Sequence, residues 1–183
     1  YMFDEQSLTG RFDASDISSL TSINYMLPPT VSEVTFSGSG ITSFNISGDN
    51  NLSKADFSNC SNLQTIDIVA TSLTNLNIAL CSSLTNIIIT CNSVNLCKDT
   101  ISQIKANSVP VEYLYLKPLD GEVNIENIQS LVTFSLPLTV TNLSAAGCSN
   151  LTNIIHQVSG QNSQLLVVDI SNTNLTTNNL TTL

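Results

Sequence analysis

Between Leu63 and Thr90 the chain repeats one hydrophobic phrase three times. An apolar residue is followed by two polar ones, then by two apolar residues separated by a single position. The instances are Leu63, Ile66, Ile68; Leu73, Leu76, Ile78; and Leu84, Ile87, Ile89. The last two side chains of each phrase lie two residues apart, so they share one face of an extended strand, and Thr65, Asp67, Asn75, Asn77 and Asn86 point the other way. No phrase is long enough to bury its own apolar face, so the copies must stack on one another as a solenoid.

The same beat runs in both directions. Anchors fall at Leu20, Val31, Ile41, Leu52, Leu63, Leu73 and Leu84, with gaps of 11, 10, 11, 11, 10 and 11 residues. Two phrases make a coil of about 21 residues, within the leucine-rich-repeat range. A half-coil period places a parallel strand on each of two sides, not helices along one whole side. Phrases resume at Leu131, Phe134, Leu136; at Val140, Leu143, Ala145; at Leu151, Ile154, His156; and at Leu165, Val168, Ile170. The fold expected is a mainly β leucine-rich-repeat solenoid of seven to eight coils, with one or two short helical excursions. Residues 1–19 fall outside the beat, and Phe3, Leu8 and Phe12 suit an N-terminal cap; residues 20–183 form the solenoid, whose last partial phrase is Leu180-x-x-Leu183.

The rhythm breaks after Cys91. Val94, Cys97, Ile101 and Ile104 are three or four apart, which predicts one or two helical turns near 98–106. A second excursion is expected over 121–130, around Ile125 and Ile128. Between them VEYLYLKPL reads as a strand with Leu114 and Leu116 inward and Tyr113, Tyr115 and Lys117 outward.

Composition narrows the function. Apolar residues make up 42% and aromatic residues 5%, with no Trp, so the core is aliphatic; charged residues are only 10%. Net charge is −9, from 14 acids against 5 bases. Without clustered Lys and Arg, neither nucleic acid nor an electrostatic membrane anchor is expected, and no apolar run reaches membrane-spanning length. The chain opens at Tyr1 without a start Met or a signal peptide, which reads as a mature or trimmed fragment. Five cysteines, an odd number without paired spacing, argue against a disulfide scaffold or a zinc site. Cys60, Cys81 and Cys148 share one context just before a strand phrase, as packing residues at a fixed turn would.

The segments CSSLTNI at 81–87 and CSNLTNI at 148–154, with LPPTVSEV at 27–34 and LPLTVTNL at 136–143, resemble the BspA-like (Treponema-type) leucine-rich repeats of bacterial surface proteins. The similarity spans roughly residues 20–183. The family's A-F-x-x-C segment is approached only by DFSNC at 56–60. The resemblance implies a secreted or surface-attached interaction protein, with no catalytic residues to carry over.

Little in the chain reads as chemistry. The one histidine, His156, falls in an inward slot with no nucleophile or carboxylate suggested beside it. Asp67 and Asp169 lie several coils apart and cannot form an acid pair. Asp49, Asn50 and Asn51 could donate oxygens to Ca²⁺, but one carboxylate in a turn is a weak site and an ordinary Asn/Asp turn explains them better. No enzyme, metal or cofactor is expected. What remains is an outer strand face, where Tyr113, Tyr115, Lys117, Asp67 and Ile88 form the candidate binding surface. The expected role is a non-enzymatic interaction module with a protein or glycan ligand. The alternative is a structural or spacer component of a phage or cell-surface assembly. A carbohydrate-active enzyme is third, for want of a carboxylate pair.

Overall fold

The computed structural model describes residues 10–23, 27–48, 51–156 and 163–176. Phe3, Leu8, Asp49, Asn50, Leu180 and Leu183, named above, lie outside them. The chain winds as a solenoid of about seven turns with coils of about 21 residues. One side is a six-stranded sheet of β3 (Ser43–Ile46), β5 (Thr65–Val69), β7 (Asn86–Thr90), β8 (Tyr113–Lys117), β10 (Thr133–Leu136) and β12 (Asn153–His156). The other side begins with β1 (Gly10–Asp13), β2 (Val31–Thr35), β4 (Lys54–Asp56) and β6 (Asn75–Asn77), and ends with β9 (Gly121–Asn124), β11 (Val140–Ser144) and β13 (Val167–Asp169). Each pairing is parallel, and equivalent residues of successive coils stand opposite one another: Phe44, Ile66, Ile87 and Leu114 form one such inward column.

The apolar phrases fill the space between the two sides. Leu63, Ile66, Ile68, Leu73, Ile78, Leu84, Ile87 and Ile89 are fully buried, as their parity requires. The described part of the expected cap is itself built as a coil: β1 pairs in parallel with β2, and the Phe12 ring lies 5.6 Å from that of Phe36.

Helix α1 (Val94–Ala106) takes the place of a strand on the second side and divides it into its two sheets. It starts four residues earlier than the expected 98–106, at Val94, the first member of the apolar series. Ser93 supplies the reason, since its Oγ accepts from the Leu96 backbone N–H at 3.1 Å as an N-cap. The helix also completes the edge of β6. Gln103 Nε2 donates to the Leu76 carbonyl at 2.7 Å and its Oε1 accepts from the Ile78 N–H at 3.0 Å, imitating a neighbouring strand.

The second expected excursion is not helical. Residues 121–124 form β9, and Ile125 and Ile128 are the two buried residues of a corner. Their three-residue spacing is that of Phe57 and Cys60, Ile78 and Cys81, and Ala145 and Cys148, all buried. A corner that turns its first and fourth residues inward reproduces the helical period without a helix.

The corners share a hydrogen-bonding plan. Asp13, Asp56, Asn77, Asn124 and Asp169 each accept, through a side-chain oxygen, from the backbone N–H two residues on. The thiols of Cys60, Cys81 and Cys148 donate to the carbonyls of Phe36, Phe57 and Ile125 in the preceding coil at 2.9, 3.1 and 3.0 Å. Burial pushes Cys60 and Cys148 up and Cys81 to about 12, which keeps these thiols neutral. They are the structural residues that their shared context implies.

Two residues beyond each corner's first inward side chain, the backbone turns left-handed. Gly38 (φ 71°), Asn59 (φ 60°), Asn127 (φ 62°) and Gly147 (φ 76°) suit that conformation, whereas Leu80 (φ 62°) does not and is 61% exposed. Leu80→Asn should therefore raise stability by about 1 kcal/mol. An unchanged or lower urea midpoint would count against that strain.

Candidate contact surface

The candidate residues come together on the outer face of the six-stranded sheet. Strand register puts Asn45, Asp67, Ile88, Tyr115, Ser135 and Ile155 in one outward row, each opposite the next. The adjacent row holds Ser43, Thr65, Asn86, Tyr113, Thr133 and Asn153, and Lys117 stands opposite Thr90 on the far side. Asp67, Ile88, Tyr113, Tyr115 and Lys117 thus occupy three neighbouring strands, β5, β7 and β8, at a spacing of about 4.8 Å per strand. The structure gathers all five on one face.

Their exposure differs from what alternation alone implies. Leu114 and Leu116 are fully buried, which fixes Tyr115 on the outer face, yet Tyr115 is only 9% exposed. The hydroxyl of Tyr115 is hydrogen-bonded to Thr90 of β7, drawing the ring against the neighbouring strand, and burial raises its pKa. Tyr115 is consequently a covered ring and not the exposed one expected. Tyr113, Asp67 and Ile88 are half-buried and Lys117 is exposed.

Three members of the row, Asn45, Ser135 and Ile155, did not figure among the sequence candidates. Ile155 is 40% exposed, an apolar side chain in an outward slot of β12. Its signal was legible, because Ile154 takes the inward position and leaves Ile155 to face out. Ser135, between Tyr115 and Ile155, is fully buried, and its hydroxyl has no hydrogen-bond partner. Beyond Asn45 the row therefore runs from the acidic Asp67 through Ile88 and Tyr115 to Ile155, over a buried unsatisfied oxygen.

A second concavity lies across the molecule, beside the helix. It is an open cleft of about 440 Å³ between the end of α1 and the corner after β9, with Ile104, Val109 and Ile128 at its base. Lys105 and Glu126 flank it. Lys105 donates to Asn124 Oδ1, and partial burial lowers its pKa against the opposing pull of Glu126. The Glu126 carboxyl is held below its ordinary value by a hydrogen bond from the Ser144 hydroxyl. Both groups are thus engaged with neighbours within the fold, and the cleft holds no nucleophile beside a base.

The remaining candidates stay apart. Asp67 and Asp169 belong to opposite sides of the coil, in β5 and β13. His156 ends β12 opposite Leu136, and its side chain lies outside the described residues. Among the described residues no group of three or more His, Cys, Asp or Glu side chains could hold a metal ion, and no helix is long and apolar enough to cross a membrane. Comparison of the chain finds no matching family model and no significant match to a curated protein or a solved structure.

Proposed function

We propose that this chain is a non-enzymatic interaction module, a bacterial surface or secreted leucine-rich-repeat protein that binds host protein or glycan through the outer face of its six-stranded sheet. The observation that carries this reading is the convergence of Asp67, Ile88, Tyr113, Tyr115 and Lys117 on three adjacent strands. Most of the surrounding face consists of Ser, Thr and Asn, so an aromatic and aliphatic stripe crossing it offers a partner apolar contact with polar groups on both flanks. The resemblance at 81–87 and 148–154 supports the surface-protein part of the reading.

The structural or spacer reading has one observation of its own. Leu166, Val167 and Val168, at and beside β13, are 81%, 58% and 39% exposed, an apolar edge that suits docking against another component of an assembly.

Binding to a panel of extracellular glycans and matrix proteins tests the first reading. Tyr113→Ser combined with Lys117→Ala should weaken whatever the native chain binds by at least tenfold, about 1.4 kcal/mol. Lys54→Ala, on the opposite side, should leave binding intact, and both variants should melt close to the native temperature. No binding by the native chain, or equal losses from the two faces, would contradict it.

A further inference from the structure

Two of the five thiols stand apart from the corner ladder. Cys91 directly follows β7, and Cys97 lies in the second turn of α1, four residues past its N-cap Ser93. The chain reverses between them, and their sulfurs meet at 3.9 Å. Cys91 is 4% exposed and Cys97 not at all. The ladder thiols are each committed to a carbonyl of the preceding coil, whereas Cys91 reaches only the Ser93 carbonyl of its own loop, at 3.5 Å, and otherwise faces Cys97.

We propose that Cys91 and Cys97 are an oxidative modification site, closed to an intramolecular disulfide by exchange with a small-molecule disulfide such as oxidised glutathione. Closure brings the sulfurs from 3.9 Å to the covalent distance of about 2.0 Å, a movement that two side chains share. The fold has already brought the two residues together, so little further chain entropy is lost in joining them.

The roles of the two sulfurs differ. Cys91 has the residual exposure and is the point of entry. The hydrogen bond from Cys97 draws the Cys91 thiol down to about 7, and the same contact, reinforced by burial, holds Cys97 well above its ordinary value. Both lie at the positive end of a 13-residue helix, which favours a thiolate. The Cys91 thiolate attacks one sulfur of the oxidant, the oxidant's S–S bond breaks, and one small thiolate leaves. Cys97 then loses its proton and attacks the Cys91 sulfur of the mixed disulfide, expelling the second small thiolate. Two electrons and two protons pass from the protein to the oxidant, which becomes two thiols. The product ties the end of β7 to the start of α1, next to the Thr90 that holds the Tyr115 hydroxyl.

The native chain is incubated with oxidised glutathione, quenched in acid and alkylated under denaturing conditions. The free thiols should fall from five to three, with a linked peptide joining Cys91 to Cys97. The oxidised chain should melt about 5 °C higher than the reduced one. Cys91→Ser should lose no thiol on treatment and Cys97→Ser should lose one, held at Cys91 as the mixed disulfide, while Cys148→Ser should still lose two. The proposal is overturned if Cys91 and Cys97 both remain alkylatable, if Cys91 stops at a mixed disulfide, or if the linkage recruits Cys60, Cys81 or Cys148. It is also overturned if the link forms only after unfolding in denaturant, or if the linked chain melts lower. Should a serine variant fail to fold, the alkylation pattern of the native chain decides the matter alone.

Discussion

Leu76→Asp should abolish cooperative unfolding, while Asn77→Asp, one residue along the same strand, should change stability by no more than about 0.5 kcal/mol. Leu76 is 4% exposed in β6, opposite Ala55 of β4, and its carbonyl accepts the Gln103 hydrogen bond from α1. A carboxylate at that point would enter an aliphatic layer with no cation beside it, at a cost of several kcal/mol. Coils of a solenoid stabilise only their neighbours, so a fault at β6 separates the coils before it from the helix after it. Asn77 faces outward, and its side-chain oxygen accepts from the Ala79 N–H at 3.1 Å. A carboxylate there keeps the acceptor and therefore the corner. Thermal melts followed by circular dichroism distinguish the two, and equal effects would refute the assigned register.

Phe36→Ala should cost about 4 kcal/mol. Phe36 is fully buried just past β2, and its ring packs against Phe12, Phe44 and Phe57 at centroid distances of 5.6, 5.5 and 5.7 Å. Phe44 comes from the six-stranded side and Phe57 follows β4 on the other, so one ring joins the two sides and three coils. Elsewhere Leu, Ile and Val share the same work among many small contacts. The loss should be local as well as large. Amides of β2, β3 and β4 should exchange fast, while those of β10 and β12 keep their native protection. A urea midpoint close to native, or uniform loss of protection, would contradict the role given to this cluster.

Much of the fold was legible because the repeat is a stacking requirement written directly into residue parity. The inward positions of Ile66, Ile87, Leu114 and Phe134 follow from alternation, and the half-coil spacing fixes two parallel sides. What failed was local. Helix α1 begins at Val94, the first of its apolar series, where Ser93 caps it, so the expected start near 98 overlooked that cap. The 121–130 segment misled because a corner that buries Ile125 and Ile128 copies the spacing of a helix. Alternation gave the direction of Tyr115 but not how far its neighbours cover it. The Cys91–Cys97 contact arises from a strand-to-helix reversal and has no signature in cysteine spacing.

The contact face is tested most directly by photo-crosslinking. A photoreactive residue is placed at Tyr113, on the six-stranded sheet, or at Asn75, exposed in β6 on the opposite side. Each chain is irradiated with the ligand that the native protein selects from the glycan and matrix-protein panel. A covalent adduct is expected from position 113, competed away by unlabelled native chain, and none from position 75. An adduct from position 75 with none from position 113 would contradict it.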